Sequence, residues 1–583
     1  HVQQRKIPPP ASTWGDVSMA DTAYRSTARR TRDAARLAAL LLAAALAMPA
    51  LAAPGVAPAV GEGSAGAPLP SLAEMERQGA VVGRVILEIH NNFDPENPEE
   101  RRRLYRLANR LHRTTRERVI AEQLLFKSGD RLSRRAVEES ARLLRQARYL
   151  YDAQIVPVRY AGHTVDLAVV THDVWTLDAG LGLGRSGGAN TTRAVLQDSN
   201  FLGTGKSVSL ERRATVDRRS SSIAYEDSNL LGAHALLALS YAANSDGHAR
   251  LFQLAEPFYS LDSRWAAGLL SSTDHRVDAL YALGHSFVRF HHDVDLFSVN
   301  GGLSDGLIDG WARRWSAGFT YQRDRFAPTR QHPMPAGLPD ERTLSYPWVA
   351  FDVVEDEFEA AHNLDQIERT EDLHLGTQLH LRLGLSSSAF GASRNAAVFD
   401  GAASAGFRPA PGQTLLFADA LSGRWGRDGA ENVVDTASAR YYWRDFGPHL
   451  FFVGVEGTVA HRLDPEIQLL LGGDTGLRGY PLRYQDGDRN FLVTVEQRFY
   501  TDYYPFRLCR VGAAVFFDAG RTWSGHSGRA PNFGLLRDAG LGLRLSMSRS
   551  GLGNVIHFDL AFPFDGDRTI KRAQWLVRTK ASF

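Results

Sequence analysis

The chain has 583 residues, with 67 basic and 65 acidic side chains and a formal net charge of +2. This balance gives no indication of a nucleic-acid partner, and we expect none. The lone cysteine, Cys509, excludes an intrachain disulfide and a cysteine metal cluster. No internal apolar run reaches the roughly 18 residues that a membrane-spanning helix needs, which excludes a helical membrane protein but not a β-barrel.

A targeting segment comes first in the chain. Five arginines between Arg25 and Arg36 precede a run of Ala and Leu over 37–47, and the triplet Ala50-Leu51-Ala52 follows. A basic stretch, a short apolar core and small residues at a cleavage point are typical of a secretory signal rather than a membrane anchor. Met19 lies at a typical distance before the basic stretch, and we predict that it is the true start.

A small mixed module follows the signal. Val81–His90 predicts a strand, and a capping-box pattern at Thr114–Glu117 predicts a helix. A second helix is predicted from about Ser133, and two further strands are predicted near residues 154–160 and 164–170. The order strand, helix, helix, strand, strand indicates a compact α+β domain whose open sheet edge can bind an extended peptide.

From Leu177 onward the hydrophobic pattern has a period of two. Trp315, Phe319 and Tyr321 alternate with polar residues, as do the leucines of the stretch 372–385. Many such strands behind a secretory signal, without interposed helices, favour a closed barrel with a lipid-facing exterior and a polar lumen. Up to about 20 segments have the length of a barrel strand.

Three motifs near the C-terminus narrow the class of protein. They are Gly472 to Pro481 (GGDTGLRGYP), Glu496-Gln497-Arg498 and Phe516-Phe517-Asp518-Ala519-Gly520. Together with the N-terminal module and the terminal Phe583, they resemble the superfamily of BamA and TamA insertases and two-partner-secretion transporters, also called the bacterial surface antigen family. That family carries a V-R-G-F/Y loop, in which Leu477 replaces the Val here. The resemblance extends over 79–583 and identifies the module as POTRA-like, with an insertion at 91–113.

The resemblance implies that the loop is held inside the barrel. Strand parity puts Glu496 and Asp518 on the lumen face, where a guanidinium would pair with both carboxylates. The alternative, an Arg478 on a solvated outer loop, stays open from the sequence alone. The candidate functional residues are Gly473, Leu477, Arg478, Gly479 and Tyr480 in the loop, Glu496 and Asp518 as its lumen partners, Phe516 and Gly520 in the strand motif, and Phe583 as a C-terminal targeting signal.

The resemblance also implies a mechanism, in which the first and last barrel strands pair weakly and open sideways. Here these are the strand near Leu177–Arg185, with glycines at 180, 182 and 184, and the strand ending at Phe583. The implied function is to receive an unfolded polypeptide through the POTRA-like domain and to insert or export it through the barrel. Implied partners are the outer-membrane bilayer, the client and periplasmic chaperones or accessory factors.

A passive channel or porin is the alternative function, although a porin needs neither the POTRA-like module nor the Arg478 loop. Insertion, secretion and lipid transport all stay open for the client. Gly203 to Ser207 lacks the first glycine of a P-loop, and the pairs His291/Asp293 and His374/His380 are better read as structural. We find no nucleophile motif and predict no enzymatic activity, no metal and no cofactor.

We therefore predict a mostly β protein with one small α+β POTRA-like domain before a transmembrane antiparallel β-barrel. The resemblance implies 16 strands, whereas the segment count gives up to about 20. We expect the barrel in the bacterial outer membrane and the N-terminal domain in the periplasm. The predicted segments are an upstream extension at 1–18, the signal peptide at 19–53, a flexible linker at 54–78, the POTRA-like domain at 79–173 and the barrel at 174–583.

Overall fold

The computed structural model describes residues 69–330, 338–444, 449–523, 532–550 and 555–580. The predicted extension and signal peptide, most of the predicted linker and Phe583 lie outside these residues. None of the helices in the described ranges is long and apolar enough to cross a membrane.

An α+β domain occupies the N-terminal part of the described chain. Its sheet has three strands, β1 (Val81–His90), β2 (Leu150–Ala161) and β3 (Thr164–Asp173), in the order β1-β3-β2, with β1 parallel and β2 antiparallel to the central β3. Helix α4 buries Val137, Ala141 and Leu144 in the core of the domain, because these residues recur at helical spacing. The elements are α1 (Leu72–Arg77), β1 (Val81–His90), α2 (Arg103–Leu111), α3 (Glu117–Ala121), α4 (Arg134–Gln146), β2 (Leu150–Ala161) and β3 (Thr164–Asp173).

Two expectations for this region are wrong in detail. Residues 72–77, inside the predicted flexible linker, form helix α1, which Ser71 caps by accepting from the Glu74 amide. The predicted capping box is absent, because α3 begins at Glu117 behind Arg116 and has no side-chain cap. The neighbouring Thr115 instead donates its amide and hydroxyl to the carboxylate of Asp173, at 2.7 and 3.0 Å.

A closed antiparallel barrel of 20 strands follows, counted over the described residues. The first strand, β4, closes the barrel against the last, β27. The wall strands are β4 (Leu177–Ser186), β5 (Ala189–Asp198), β6 (Lys206–Ala214), β7 (Arg219–Leu230), β8 (Ala235–Asn244), β9 (Gly247–Glu256), β10 (Trp265–Ala282), β11 (His285–Ile308), β12 (Trp311–Pro328), β13 (Arg342–Glu355), β16 (Gln378–Ser386), β17 (Ala396–Phe407), β18 (Gln413–Gly426), β19 (Gly429–Trp443), β20 (His449–His461), β23 (Arg489–Tyr500), β24 (Cys509–Trp523), β25 (Leu536–Met547), β26 (Val555–Pro563) and β27 (Gln574–Lys580).

Two pairs of short strands leave the wall. The pair β14 (Phe358–His362) and β15 (Thr370–His374) forms a hairpin between β13 and β16. The pair β21 (Leu469–Leu471) and β22 (Gln485–Gly487) forms a ribbon between β20 and β23. The first pair extends from the end of the barrel nearest the N-terminal domain, here called the domain end. The second pair extends from the opposite end, here called the far end.

The structure corrects two expectations about the barrel. The family-derived count of 16 strands is wrong, whereas the segment count of about 20 agrees with the structure. The motifs that carry the resemblance lie in the late strands and contain no information on how many strands precede them.

The stretch 372–385 is also not one strand, because the chain turns at Leu375 and Gly376, whose amides both donate to the Glu357 carbonyl. His374 therefore lies in the hairpin and donates to the Glu355 carbonyl, 2.7 Å away.

The two faces of the wall differ sharply in chemistry. Large apolar side chains such as Trp315, Leu383 and Trp425 are more than 60% exposed on the outside. On the inside, charged side chains such as Asp518 and Arg544 are fully buried. This alternation follows from the period of two, because successive side chains of a strand point to opposite faces of the sheet.

Candidate functional site

The far-end ribbon carries the predicted loop back into the lumen. Two backbone hydrogen bonds fold it, from the Gly473 amide to the Pro481 carbonyl (2.8 Å) and from the Leu477 amide to the Gly472 carbonyl (3.1 Å). A Cβ atom on Gly472 would lie 2.4 Å from the Pro481 carbonyl oxygen, so a side chain does not fit there. The glycines of the first motif thus let two backbone segments approach closely. We call residues 472–484 the lumen loop.

Arg478 at the tip of the lumen loop is 3% exposed and binds two carboxylates of the wall. Its Nε and Nη2 donate to Asp518 at 2.6 and 2.8 Å, and its Nη1 donates to Glu496 at 2.7 Å. The guanidinium also lies over the Phe516 ring, 3.4 Å from the centroid. Bidentate geometry fixes both position and orientation of the side chain, and removing one partner of such a buried pair typically costs about 3–5 kcal/mol.

The remaining motif residues support this contact. Leu477 and Tyr480 are fully buried in an apolar cluster with Leu471, Tyr484 and Leu536. The Tyr480 hydroxyl donates to the Arg537 carbonyl at 2.7 Å. A Cβ atom on Gly520 would lie 3.1 Å from the Leu471 side chain, so this glycine lets the ribbon pack closely on β24. The third motif therefore supports the loop in three ways: Phe516 lies under the guanidinium, Asp518 accepts its hydrogen bonds, and Gly520 leaves room for the ribbon.

The junction between β4 and β27, here called the seam, has little backbone pairing. Within the described part of both strands it has one register pair, Val577 with Arg185. Leu181 and Leu183 of β4 are 89% and 77% exposed. The Arg185 guanidinium lies 5.0 Å from the ring centroid of Trp575 across the junction. Strand β4 is therefore held mainly by β5 on its other side.

The lumen loop contacts both strands of the seam. The carbonyl oxygen of Gly473 accepts from the Ser186 hydroxyl of β4 at 2.7 Å and from Arg578 Nη1 of β27 at 3.1 Å. A Cβ atom on Gly473 would lie 2.8 Å from the Gly187 Cα, so the loop backbone rests directly on the turn after β4. One backbone carbonyl therefore joins the first and last strands, and Arg478 holds the loop that presents it.

Buried charges continue along the last strands. Arg544 of β25 donates to Asp559 of β26 at 2.6 Å, and both side chains are fully buried. The guanidinium of Arg578 lies 3.9 Å from the same carboxylate. Low-dielectric surroundings strengthen such contacts but also make an unpaired charge costly, so removing either partner of the Arg544–Asp559 pair would destabilise these strands.

The histidines that the sequence analysis weighed lie elsewhere. The exposed His291 lies on the outer face, whereas His292 faces inward with ring nitrogens 2.7 and 3.1 Å from Asp278 and Asp324. His380 lies between Asp352 and Asp400 at 2.6 and 3.3 Å. In the parts of the chain that the structure describes, no group of three or more His, Cys, Asp or Glu residues is arranged to hold a metal ion.

Neither family models nor curated proteins give a significant match to this chain. Among solved structures, BamA from Haemophilus ducreyi lacking POTRA domains 1–3 matches with a TM-score of 0.37 and 13% identity, covering 86% of this chain and 84% of that one. CdiB from Escherichia coli matches at 0.46 and 12%, covering 86% and 76%. OccK2 (OpdF) from Pseudomonas aeruginosa matches at 0.32 and 12%, covering 68% and 94%. The first two belong to the superfamily that the motifs resemble. At these identities and TM-scores, the likeness carries no information on activity.

The structure brings nine of the ten predicted residues together at one place in the lumen, around Arg478 and the ribbon. The tenth, Phe583, lies outside the described residues. Sequence reasoning named Arg498 only as part of the second motif, without a role, and did not select Ser186, Arg544 or Arg578 as functional residues. The alternation of side chains along a strand could have indicated these arginines as lumen residues. Arg498 is two residues from Glu496 and lies on the same face, and Arg544 and Arg578 are charged residues at inward-facing positions. No sequence signal pointed to Ser186, because its partner is a backbone carbonyl.

Proposed function

We propose that this chain is an outer-membrane barrel that receives an unfolded polypeptide at its periplasmic, POTRA-like N-terminal domain. The polypeptide is then inserted or exported through the barrel and its seam. Membrane placement is supported by the exposed apolar residues on the outside of the wall and the charged residues inside it. The domain end then faces the periplasm, and the lumen loop enters from the outer side.

The observation that carries the proposal is the way in which the seam is closed. A passive channel gains stability from continuous strand pairing around the whole wall. Here the described parts of the first and last strands share one register pair and are joined by a backbone carbonyl of the lumen loop. Such a junction can separate without breaking a long ladder of backbone hydrogen bonds. The freed edge of β27 or β4 can then pair with an incoming strand.

The N-terminal sheet offers a second edge. Among the described residues β2 pairs only with β3, and Val156 and Val158 of β2 are 37% and 46% exposed. An extended polypeptide can add to such an edge through main-chain hydrogen bonds, with little dependence on sequence. We therefore propose that the client first meets β2 and then moves to the seam.

The test is photocrosslinking in native outer membranes, with a photoreactive residue at Val158 of β2 or at Thr579 of β27. Both positions are exposed. We expect one defined polypeptide at both positions, and we expect its membrane or secreted level to fall when this protein is depleted. Leu383, 63% exposed on the opposite wall, is the matched control and should capture only lipid.

Three outcomes would contradict the proposal. Capture of the same polypeptide at Leu383 would indicate nonspecific contact. No capture at Val158 and Thr579, together with steady ion conductance by the purified barrel, would indicate a passive channel. Capture of lipid alone at both positions would point to a lipid client instead of a polypeptide.

A further inference from the structure

The domain-end hairpin β14–β15 enters the lumen, although it belongs to no part of the wall. Its tip, residues 363–369, buries Leu364 and Ile367 to 4% and 1% exposure. These two side chains pack with Tyr442, Leu450 and Phe452 on the inner face of the wall. A solvated turn would not bury aliphatic side chains to this extent. The tip is therefore a built-in occupant of the lumen.

Polar contacts fix the tip as well. The Asp365 carboxylate accepts from the Tyr442 hydroxyl at 3.0 Å and from Arg498 Nη1 at 3.2 Å. The Leu364 carbonyl accepts from Arg498 Nη1 at 2.6 Å and from the Tyr500 hydroxyl at 3.0 Å. Arg498 is 3% exposed, so these hydrogen bonds lie away from water, where they are strong.

The same hairpin also contacts the N-terminal domain, through the end of its tip and through β15. Arg145 of α4 makes a bidentate pair with Asp372, at 2.8 and 2.5 Å. The Tyr151 hydroxyl donates to the Glu368 carbonyl at 2.9 Å, and Arg369 donates to the Leu150 carbonyl at 3.2 Å. Any displacement of the domain relative to the barrel therefore acts on the hairpin.

Glu496 joins the hairpin to the lumen loop. Its Oε2 accepts from Arg498 Nε at 3.0 Å, and its Oε1 accepts from Arg478 Nη1 at 2.7 Å. Arg498 holds the hairpin tip, and Arg478 holds the loop whose Gly473 carbonyl joins the seam. The lumen loop, which enters from the far end, therefore contacts this buried carboxylate directly, and the hairpin, which enters from the domain end, is connected to it through Arg498.

We propose that this hairpin transmits the position of the N-terminal domain to the seam, with Arg498 and Glu496 as positioning residues. When the tip withdraws, Arg498 loses two acceptors, the Asp365 carboxylate and the Leu364 carbonyl. A buried guanidinium that loses acceptors turns toward the nearest carboxylate, and this draws Glu496 away from Arg478. The lumen loop then loosens, and the Gly473 carbonyl leaves Ser186 and Arg578. The seam opens as a result.

The inference rests on the proposed function for its purpose, but its test needs no client. In a Cys509→Ser background, Arg185→Cys with Val577→Cys places one cysteine on each side of the seam at the register pair. The rate of disulfide formation in the purified full-length protein reports how much of the time the seam is closed. We expect Asp365→Ala to lower that rate at least about fivefold, the lower end of typical coupling between sites.

Arg145→Ala should act in the same direction, and adding it to Asp365→Ala should produce no further decrease, because both act through the hairpin. Arg135→Ala is the matched control, since Arg135 pairs with Asp262 on a different domain-end turn. It should leave the rate unchanged. Heat-modifiable mobility verifies that each variant is folded, and Asp365→Asn replaces Asp365→Ala if the latter is not.

Several results would overturn the inference. These are an unchanged rate in the folded Asp365 variant, equal effects of Arg145→Ala and Arg135→Ala, or additive effects of Asp365→Ala and Arg145→Ala. The disulfide rates could change as expected while photocrosslinking captures no client at Val158 or Thr579. That outcome would support the coupling between the hairpin and the seam and contradict the proposed function. The two can therefore fail separately.

Discussion

Two stretches of the barrel wall are joined in different ways. Strands β10 and β11 have 18 and 24 residues and pair continuously from Trp265/Leu303 to Ala282/His285, with one irregularity. At the seam, β4 and β27 have 10 and seven described residues and one register pair. The stretch formed by β10, β11 and β12, here called the long wall, is closed by backbone hydrogen bonds, whereas the seam is closed mainly by side chains and a loop.

This difference indicates where the barrel can change its shape. Opening the long wall would expose many backbone groups at once, and each unpaired group in an apolar surrounding costs several kcal/mol. Opening the seam exposes few backbone groups among the described residues, and the contacts across it there include a cation–π pair and the two hydrogen bonds to Gly473. The buried ion pairs of Arg478 then hold the barrel closed by holding the loop.

Locking the seam should have the largest effect on function. Arg185→Cys with Val577→Cys in a Cys509→Ser background places a disulfide across the junction. We expect the oxidised variant to lose client handling completely and to regain it in reductant, because the seam can no longer separate. The measurement is the level of the captured client in the membrane or medium, with and without reductant.

The long wall provides the matched control for that experiment. Val299 and Phe319 are register partners on β11 and β12, and Val299 is exposed on the outside. A disulfide between cysteines at these two positions should leave client handling intact. Equal loss of function from both disulfides would show that the two stretches of wall do not differ in role.

Removing the guanidinium of Arg478 should have the next largest effect. Arg478→Ala removes the cation that Asp518 and Glu496 share, although Arg498 still donates to Glu496, and breaking such a buried pair costs about 3–5 kcal/mol. We expect a folded barrel whose lumen loop becomes sensitive to added protease, with impaired client handling. Limited proteolysis with mapping of the cut sites measures this directly.

Arg483→Ala in the same loop is the control. Arg483 pairs with Asp217 at 2.6 Å, but the Asp217 side chain is 35% exposed, and pairs open to water contribute about 1 kcal/mol or less. We expect little change in cleavage. Identical protease patterns for wild type and Arg478→Ala would exclude Arg478 as the anchor of the loop.

Sequence reasoning reached the barrel because strand patterns are local. An alternation of apolar and polar residues gives strand faces, and it gave a strand number close to that observed. It failed over 372–385, where Leu373 and Leu379 continue the alternation although the chain turns between them. The turn depends on hydrogen bonds from Leu375 and Gly376 to Glu357, a contact that no local pattern encodes.

The candidate site could be predicted from the sequence for a different reason. Glu496 and Asp518 could be placed by parity, and the loop glycines indicated a tight fold around Arg478. The contacts to the seam and the hairpin could not be found in this way. Gly473 acts through its carbonyl oxygen, which every residue has, and Asp365 lies more than 130 positions from Arg498 in the chain.

Removing one hydroxyl at the seam should have a smaller effect. Ser186→Ala deletes the donor from β4 to the Gly473 carbonyl, while Arg578 of β27 still donates to it. We expect a loss of about 0.5–1.5 kcal/mol, seen as slower disulfide formation across the seam. Ser316→Ala on the long wall should not change that rate. An unchanged rate in Ser186→Ala would mean that the loop carbonyl does not hold β4.

The smallest effect concerns the segment that leads into the seam. Asp173 ends β3 just before β4, and burial raises the pKa of its carboxyl to about 6 despite hydrogen bonds from Thr115, which lower it. Its unfolded value is 3.8, so this group stabilises the fold fully below pH 4, and that contribution is lost as the pH rises through 6. Between pH 5 and 7.5 the loss is on the order of 1 kcal/mol.

His112 lies 4.0 Å from Asp173, and burial lowers the pKa of its imidazole, so its protonation in acid acts in the opposite direction. Comparison with Asp173→Asn removes that contribution, because His112 is present in both proteins. Pulse proteolysis in urea measures the stability of the N-terminal domain. Between pH 5 and pH 7.5, wild type should lose more of this stability than Asp173→Asn. Equal losses would mean that the Asp173 carboxylate does not control how firmly the start of β4 is held, and that the weakness of the seam lies entirely in its own strands.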